Sequence, residues 1–498
     1  MSVIDCEPPL ASPNARPHAA AESAALPLTG TRRAGRLVAA AVAAGLALRI
    51  ACAGGPLWLD EIWSIENLAP LRHFWQVFWG ISHDNNHFLN SLWLYFAAPL
   101  TDDPAILRAP SIAMGALGIA MMARLAGRHG PAAALAAAAM TAFSYFLLNY
   151  SVEARGYAGS ALALLVGFDA LERAIDRPES RARFALAAAM GIGLFWHLAI
   201  LPAIGLFALF CLAERRRRGD GWEPAIVATV RLFTPTLFAA IPAFACVLAG
   251  VAVVGTLTIG GLRGFDAAQA LGAIADMARD AVGLPQAIPA SAVVGAGAAA
   301  ILLALRLRLV LDRRRLAYAI ILIGLPAAVF ALRPPNAHIA RYYLVCALFL
   351  ILLLAECFGS LWRAGSWRRW GAAAALAAIL AGDAGLILKF EESKMEAWPQ
   401  ALDAIAQSGR LRLASSFDDR VGKFVAYYDR AHPGLDLVPR AQWCARRPDW
   451  FVAETAGIAD LPAALDLPAG ECRVQFALVR RYETWGLSPV GWALYRAH

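Results

Sequence analysis

An acidic pair, Asp60-Glu61, follows the first long apolar segment, within Leu57-Trp-Leu-Asp-Glu-Ile-Trp63. Carboxylates beside a bilayer are costly unless they are paired or employed. Four more connectors carry reactive side chains: His83-Asp-Asn-Asn-His87, Arg108-Ala-Pro-Ser111, Glu153-Ala-Arg155-Gly-Tyr157 and His338-Ile-Ala-Arg341-Tyr-Tyr343. A carboxylate can take the proton of an attacking hydroxyl, and guanidinium binds phosphate oxygens in a two-pronged fashion. The residue types therefore point to transfer chemistry at the outer membrane surface.

Positioning these groups is the task of an unusually apolar chain. Of 498 residues, 59% are hydrophobic and 16% charged. Soluble domains carry about 25% charged residues. The apolar excess sits in runs of about 17 to 25 residues, the length that crosses a hydrocarbon core. Spans are expected at 36–52, 109–126, 131–150, 157–172, 184–197, 199–213, 229–254, 287–305, 316–332, 342–358 and 371–388, about eleven crossings. A cleaved leader ending near Ala51-Cys-Ala53 is disfavoured by its length and by Arg49.

The net charge of +8 is not a nucleic-acid footprint. Basic residues gather in alternate short connectors: Arg32 to Arg36, Arg124 and Arg128, Arg173 to Arg183, Arg215 to Arg218, Arg306 to Arg315, and Arg363 to Arg369. That alternation predicts a cytoplasmic N-terminus and an outward-facing C-terminus. It places the five reactive connectors together on the outer face of a bacterial inner membrane.

Residues 1–34 read as a disordered tail. The helical membrane domain then covers 35–388, with two long outer loops, 53–108 and 255–286. The first is expected to lay aromatic amphipathic helices along the interface. From 389 onward charges of both signs return. Strands are expected at 411–414, 450–453 and 474–479, and helices at 398–407 and 418–430. A small α/β domain of residues 389–498 outside the membrane follows. Its Cys444 and Cys472 could pair in an oxidising compartment, while the other cysteines sit mostly in apolar spans.

Leu59-Asp60-Glu61 after the first span, the His-containing segment before Arg108-Ala-Pro-Ser111, and Tyr150-Ser-Val-Glu-Ala-Arg155-Gly-Tyr157 resemble the pattern of GT-C glycosyltransferases. The nearest branches are similar to lipid A aminoarabinose transferases and protein O-mannosyltransferases. The resemblance covers about 35–200 well and the remainder in layout. It implies a polyprenyl-phosphate sugar donor, transfer outside the cytoplasmic membrane with inversion, and an acidic base in the first outer loop. One departure is Asn86-His87-Phe88-Leu89, where the family commonly has His-Pro-Pro.

On this reading Asp60 is the base, and Glu61 substitutes for it or orients it. Arg155, Arg341, Arg49, Tyr157 and Tyr342 are the donor-phosphate candidates. His83, Asp84, His87, Glu153 and His338 are the acceptor or sugar candidates. His83 and His87 would share a face if helical, but Asn85-Asn86 favours a loop, and no metal ligand is assigned. No cofactor is required, although the acidic residues leave room for a divalent cation. The acceptor is a lipid, a glycan or a protein. A transporter or lipid flippase is the alternative, and it expects ionisable groups near the midplane and related halves.

Overall fold

The computed structural model describes residues 28–81, 87–177, 180–255, 263–393, 397–428, 434–455, 460–483, 485–487 and 491–498. The first half runs α1 (Leu28–Cys52), α2 (Leu59–Glu66), α3 (Phe88–Ala97), α4 (Pro104–Leu107), α5 (Ala109–Gly127), α6 (Pro131–Phe143), α7 (Tyr145–Asn149), α8 (Tyr157–Asp176) and α9 (Ala182–Trp196). The bundle continues through α10 (Leu201–Arg217), α11 (Trp222–Val254), α12 (Ala267–Val282), α13 (Ala290–Arg306), α14 (Arg315–Tyr318), α15 (Leu325–Leu332), α16 (Leu344–Arg363) and α17 (Ser366–Ser393). Among the described residues seven helical segments are long and apolar enough to cross a membrane, and four shorter apolar helices accompany them.

Three expectations change. The span read as 131–150 is broken at Ser144, whose ψ of 117° leaves the helix. The loop at 255–286 contains α12, a 16-residue helix with Ala270, Ala273, Ile274 and Met277 buried. The last helix of the bundle extends to Ser393, past the boundary read at 389.

The loop 53–108 holds short helices, as its aromatic amphipathic pattern requires. These are α2, a 3-10 turn over Phe74–Phe78, α3 and α4. They expose Phe74, Trp75, Trp93 and Phe96 on one side and pack on the C-terminal domain on the other. Leu59 and Ile62 of α2, Leu94 of α3 and Ala154 share one apolar cluster with the C-terminal domain.

That domain adds α18 (Trp398–Gln407), α19 (Asp418–Tyr428) and six strands. The strands are β1 (Arg412–Ser415), β2 (Asp436–Leu437), β3 (Trp450–Thr455), β4 (Ala464–Ala469), β5 (Cys472–Tyr482) and β6 (Gly491–Ala497). Their order is β2-β1-β3-β6-β5-β4. β1 pairs in parallel with β2 and β3, and the remaining pairs are antiparallel. Trp398 of α18 stacks on Phe424 of α19 with centroids 4.3 Å apart. Val421 and Phe424 belong to the same cluster as Leu59 and Ile62, so α19 joins the domain to α2. Cys444 and Cys472 are joined in a disulfide.

Charge is sorted to the two ends of the bundle. At the end away from the domain, Arg314 donates to Glu172 at 2.8 Å and to Glu356, and Arg128 pairs with Asp169 and Glu172. Arg218–Asp176 and Arg217–Glu214 extend the network at 2.8 and 2.7 Å. These are the basic connectors that the alternation of charge predicts on one face.

A close crossing sets the position of α12. Gly283 ends this helix in the left-handed region, at φ 65°, and abuts Gly382 of α17. A Cβ at Gly382 would lie 2.0 Å from the Gly283 carbonyl oxygen. We expect Gly382→Ala to destabilise the fold by about 1–3 kcal/mol through overpacking. A lowered thermal midpoint of the detergent-solubilised protein would show it, and an unchanged midpoint would refute it.

Candidate active site

The site begins with α2. Its first turn carries Asp60 and Glu61, where negative charge complements the helix dipole. Neighbours along a helix do not share a face, and here they separate completely. Glu61 points inward and is fully buried against Arg108, which is also fully buried. Arg108 Nε donates to Glu61 Oε1 at 2.8 Å and Nη2 to Oε2 at 2.6 Å. Glu61 also accepts from the backbone N–H of Trp58 at 3.1 Å and of Ala154 at 2.6 Å. The structure thus places Glu61, read as a catalytic candidate, in a saturated buried pair with Arg108.

Asp60 faces the other way, with about a quarter of its side chain exposed. Its Oδ2 lies 3.4 Å from Arg155 Nη1 and 3.5 Å from Arg341 Nη1. Arg155 Nη1 also approaches the Asp60 carbonyl at 3.3 Å. Both guanidinium carbons stand 5.8 Å from the centroid of the Tyr157 ring, a cation–π geometry. Arg155 and Arg341 each keep a buried Nε with no hydrogen-bond partner among the described residues. Two guanidinia share one carboxylate through long contacts, so positive charge and donor capacity remain for an anion.

The 153–156 connector is stitched into place from four directions. Ala154 N–H reaches Glu61, Ala154 C=O accepts from Asn90 Nδ2, and Arg155 C=O accepts from Ser111 Oγ at 2.7 Å. Gly156 N–H donates to His87 Nδ1 at 3.2 Å. A Cβ at Gly156 would lie 1.7 Å from the Trp196 carbonyl oxygen, so only glycine lets the start of α8 press against the end of α9. Arg155 therefore arrives in a fixed backbone rather than on a loose loop.

Glu153 lies beneath this cluster. It is buried, accepts from Asn149 Nδ2 at 2.8 Å through Oε1, and has no partner for Oε2 among the described residues. His87 is buried too, its ring 4.3 Å from that of His197 and 5.4 Å from Tyr157. Burial, then the charge on Arg155, holds its imidazole neutral, well below the ordinary histidine range. With Nδ1 accepting from Gly156, the neutral ring carries its proton on Nε2.

The other candidates take several places around this cluster. Arg49 spends its terminal nitrogens on the carbonyls of Gly45, Ala142 and Thr141 at 3.0, 3.1 and 3.2 Å, a C-cap of α6 and not a contact to Asp60. Tyr342 is 38% exposed and lies within electrostatic reach of Arg341. His338 is half-buried, in the connector before Arg341. His83 and Asp84 lie outside the described residues. His197, which sequence reasoning did not assign to the site, joins His87 and Tyr157, with its ring 4.5 Å from Tyr157. Its signal was its place at the break between two short helices. Among the described residues no three His, Cys, Asp or Glu side chains form a metal-holding group.

The first loop, the α7–α8 connector and the turn before α16 deliver this charged constellation to the domain end of the helical bundle, and the bundle with its small α/β domain has a GT-C-like membrane fold. The chain is similar in structure to the apo crystal structure of ArnT from Cupriavidus metallidurans, with a TM-score of 0.50 and 12% identity. The match covers 93% of this chain and 98% of that one. No protein-family model matches the chain, and no curated protein matches it in sequence.

Glu153 gives the site a pH signature. Burial first, then the charge on Glu61, pushes its carboxyl up from 4.5 to about 8, against the opposing pull of Arg341 and Arg155. The folded protein keeps this proton while the unfolded chain releases it above 4.5. Stability from this group is therefore complete below 4.5 and is lost as pH rises through about 8. Glu153→Gln should flatten the fall of the thermal midpoint across that window, and an unchanged slope would contradict the assignment.

Proposed function

We propose that the protein is a membrane glycosyltransferase that moves one sugar from a polyprenyl-phosphate donor to an acceptor hydroxyl on the outer face of the membrane. The observation that carries this reading is Asp60 held between Arg155 and Arg341, beneath a domain of GT-C-like layout. A sugar already bonded to phosphate has a good leaving group, so no protein acid need protonate it. A glycosidase, by contrast, uses two carboxyl groups around its scissile bond.

The steps follow from the geometry. The donor phosphate competes for Arg155 and Arg341, whose free N–H groups are built for phosphate oxygens. That competition leaves the Asp60 carboxylate to face the acceptor hydroxyl. Asp60 takes the hydroxyl proton as the oxygen bonds to the anomeric carbon, and the carbon–oxygen bond to phosphate breaks from the opposite side. The configuration inverts, and the polyprenyl phosphate departs with its new charge against the guanidinia. Tyr157 floors the pocket and presents its ring face to both cations. The neutral His87 offers an N–H donor to an uncharged oxygen. The proposed setting is a bacterial inner membrane with this end of the bundle outward.

Mass spectrometry of envelope lipids and glycans, from cells with and without the protein, should reveal a species heavier by one sugar residue. Asp60→Asn should lower transfer by roughly 10²–10⁴-fold while leaving insertion and the elution profile intact. Arg341→Gln should weaken it by about 10²-fold, mainly through the phosphate. Near-normal transfer in Asp60→Asn would remove the base from the mechanism.

A further inference from the structure

The carboxyl ends of β1 and β3 carry polar groups that the transfer site does not use. These strands run parallel, and the chain leaves β1 through α19 toward β2 on one side, while β3 lies on the other. In open α/β sheets such a divergence at the carboxyl edge is where ligands seat. Ser415 Oγ at the end of β1 donates to Asp418 Oδ1 at 2.6 Å. Ser416 Oγ accepts from the Glu454 N–H at 2.9 Å, and Arg420 Nη1 donates to Glu454 Oε1 at 2.6 Å.

Two features of this edge call for a ligand. Glu454 is 4% exposed, lies against the first turn of α19, and has a buried Oε2 with no hydrogen-bond partner among the described residues. Leaving a buried carboxylate oxygen unpaired costs about 1–3 kcal/mol, so a hydroxyl donor there is favoured. Phe417, between Ser416 and Asp418, is 52% exposed although large and apolar, and the Arg420 guanidinium stands 5.9 Å from its ring centroid. An aromatic face beside carboxylates and a guanidinium matches the C–H face and the hydroxyls of a pyranose. A bilayer contact fits less well, because Asp418 and Asp419 follow Phe417 directly and would carry two carboxylates toward the lipid.

We propose that the carboxyl edge of β1 and β3 is a saccharide-binding site, in which a hexopyranose stacks on Phe417 and gives a hydroxyl to Glu454. The same helix α19 that starts at this edge packs Val421 and Phe424 into the cluster that holds α2. A glycan gripped here is therefore held on the element that supports Asp60. Its role as a docking point for a glycosylated acceptor rests on the transferase reading. The binding itself does not.

The test uses the full chain in nanodiscs and the methyl glycosides of glucose, mannose, galactose and N-acetylglucosamine, observed by saturation-transfer NMR. At least one glycoside should receive saturation from the wild-type protein and from Asp60→Asn alike. Binding that is lost in Phe417→Ala, with Asp60, Arg155 and Arg341 all intact, separates this site from the transfer site. Phe417→Ala removes an exposed ring and should weaken binding roughly tenfold, about 1.4 kcal/mol, while Phe417→Trp should retain it. Absence of a signal with all four glycosides, or wild-type binding by Phe417→Ala, overturns the proposal. So does extra quenching of Phe417→Trp fluorescence, relative to wild type, by brominated phosphatidylcholine, which would place the ring in the bilayer.

Discussion

The buried pair of Glu61 and Arg108 is the constraint on which the site depends. Both side chains are fully removed from solvent, and taking two charges out of water is expensive. The cost is met only because every direction is filled. Arg108 donates to Glu61 through two nitrogens and to the carbonyls of Ala53, Gly55 and Pro56 at 2.7, 2.8 and 3.0 Å. Glu61 in turn accepts from Trp58 and Ala154. Such a pair adds little net stability relative to apolar packing, and its value is that it admits one arrangement. That arrangement ties the exit of α1, the start of α2, the start of α5 and the connector before α8 to one point. Once Glu61 is fixed, the helical turn directs Asp60 toward Arg155.

The outer domain reinforces the same point from above. α19 and α18 share an apolar cluster with Leu59, Ile62, Leu107 and Ala154, which flank Asp60, Glu61, Arg108 and Arg155 in the chain. Burial of this kind is worth about 25 cal/mol per Å² of apolar surface. It fixes the backbone that carries Asp60 and Arg155. At the opposite end, Arg314 with Glu172 and Glu356 ties the turn before α14 to α8 and α16. The bundle is clamped at both ends by ion pairs.

Much of this was legible in the sequence, and the reasons are local. Apolar runs of spanning length, arginine-rich alternate connectors and the change of character after the last span carry strong periodic signals. They put Asp60, Arg155 and Arg341 on one face, and Asp60 Oδ2 lies 3.4 Å from Arg155 and 3.5 Å from Arg341. The expected strands near 411, 450 and 474 were found, while β2, β4 and β6 were not read. β2 spans two residues, and the alternation in β4 is blunted by Pro468 and small alanines. What the chain could not reveal was pairing across long separations. Nothing near Glu61 announces that its partner stands 47 residues away, and nothing near His197 announces its contact with His87.

Arg49 shows how a charge inside a span acquires a structural use. A guanidinium there invites a functional reading, but its hydrogen bonds go to Thr141 and Ala142 in the last turn of α6. Those carbonyls lose their helical partners because the chain leaves the helix at Ser144. From the far side, Asp383 of α17 accepts the N–H of Tyr145 at 3.0 Å and so caps the start of α7. One cation and one carboxylate, from α1 and α17, therefore satisfy the backbone groups that a break within a buried helix exposes. An unbroken helix through 131–150 would continue straight. The break turns Asn149 through Arg155 across the domain end of the bundle, where Glu61, Asn90 and Ser111 can take hold of the backbone. The charged residues within the bundle are thus part of how the guanidinium of Arg155 reaches Asp60.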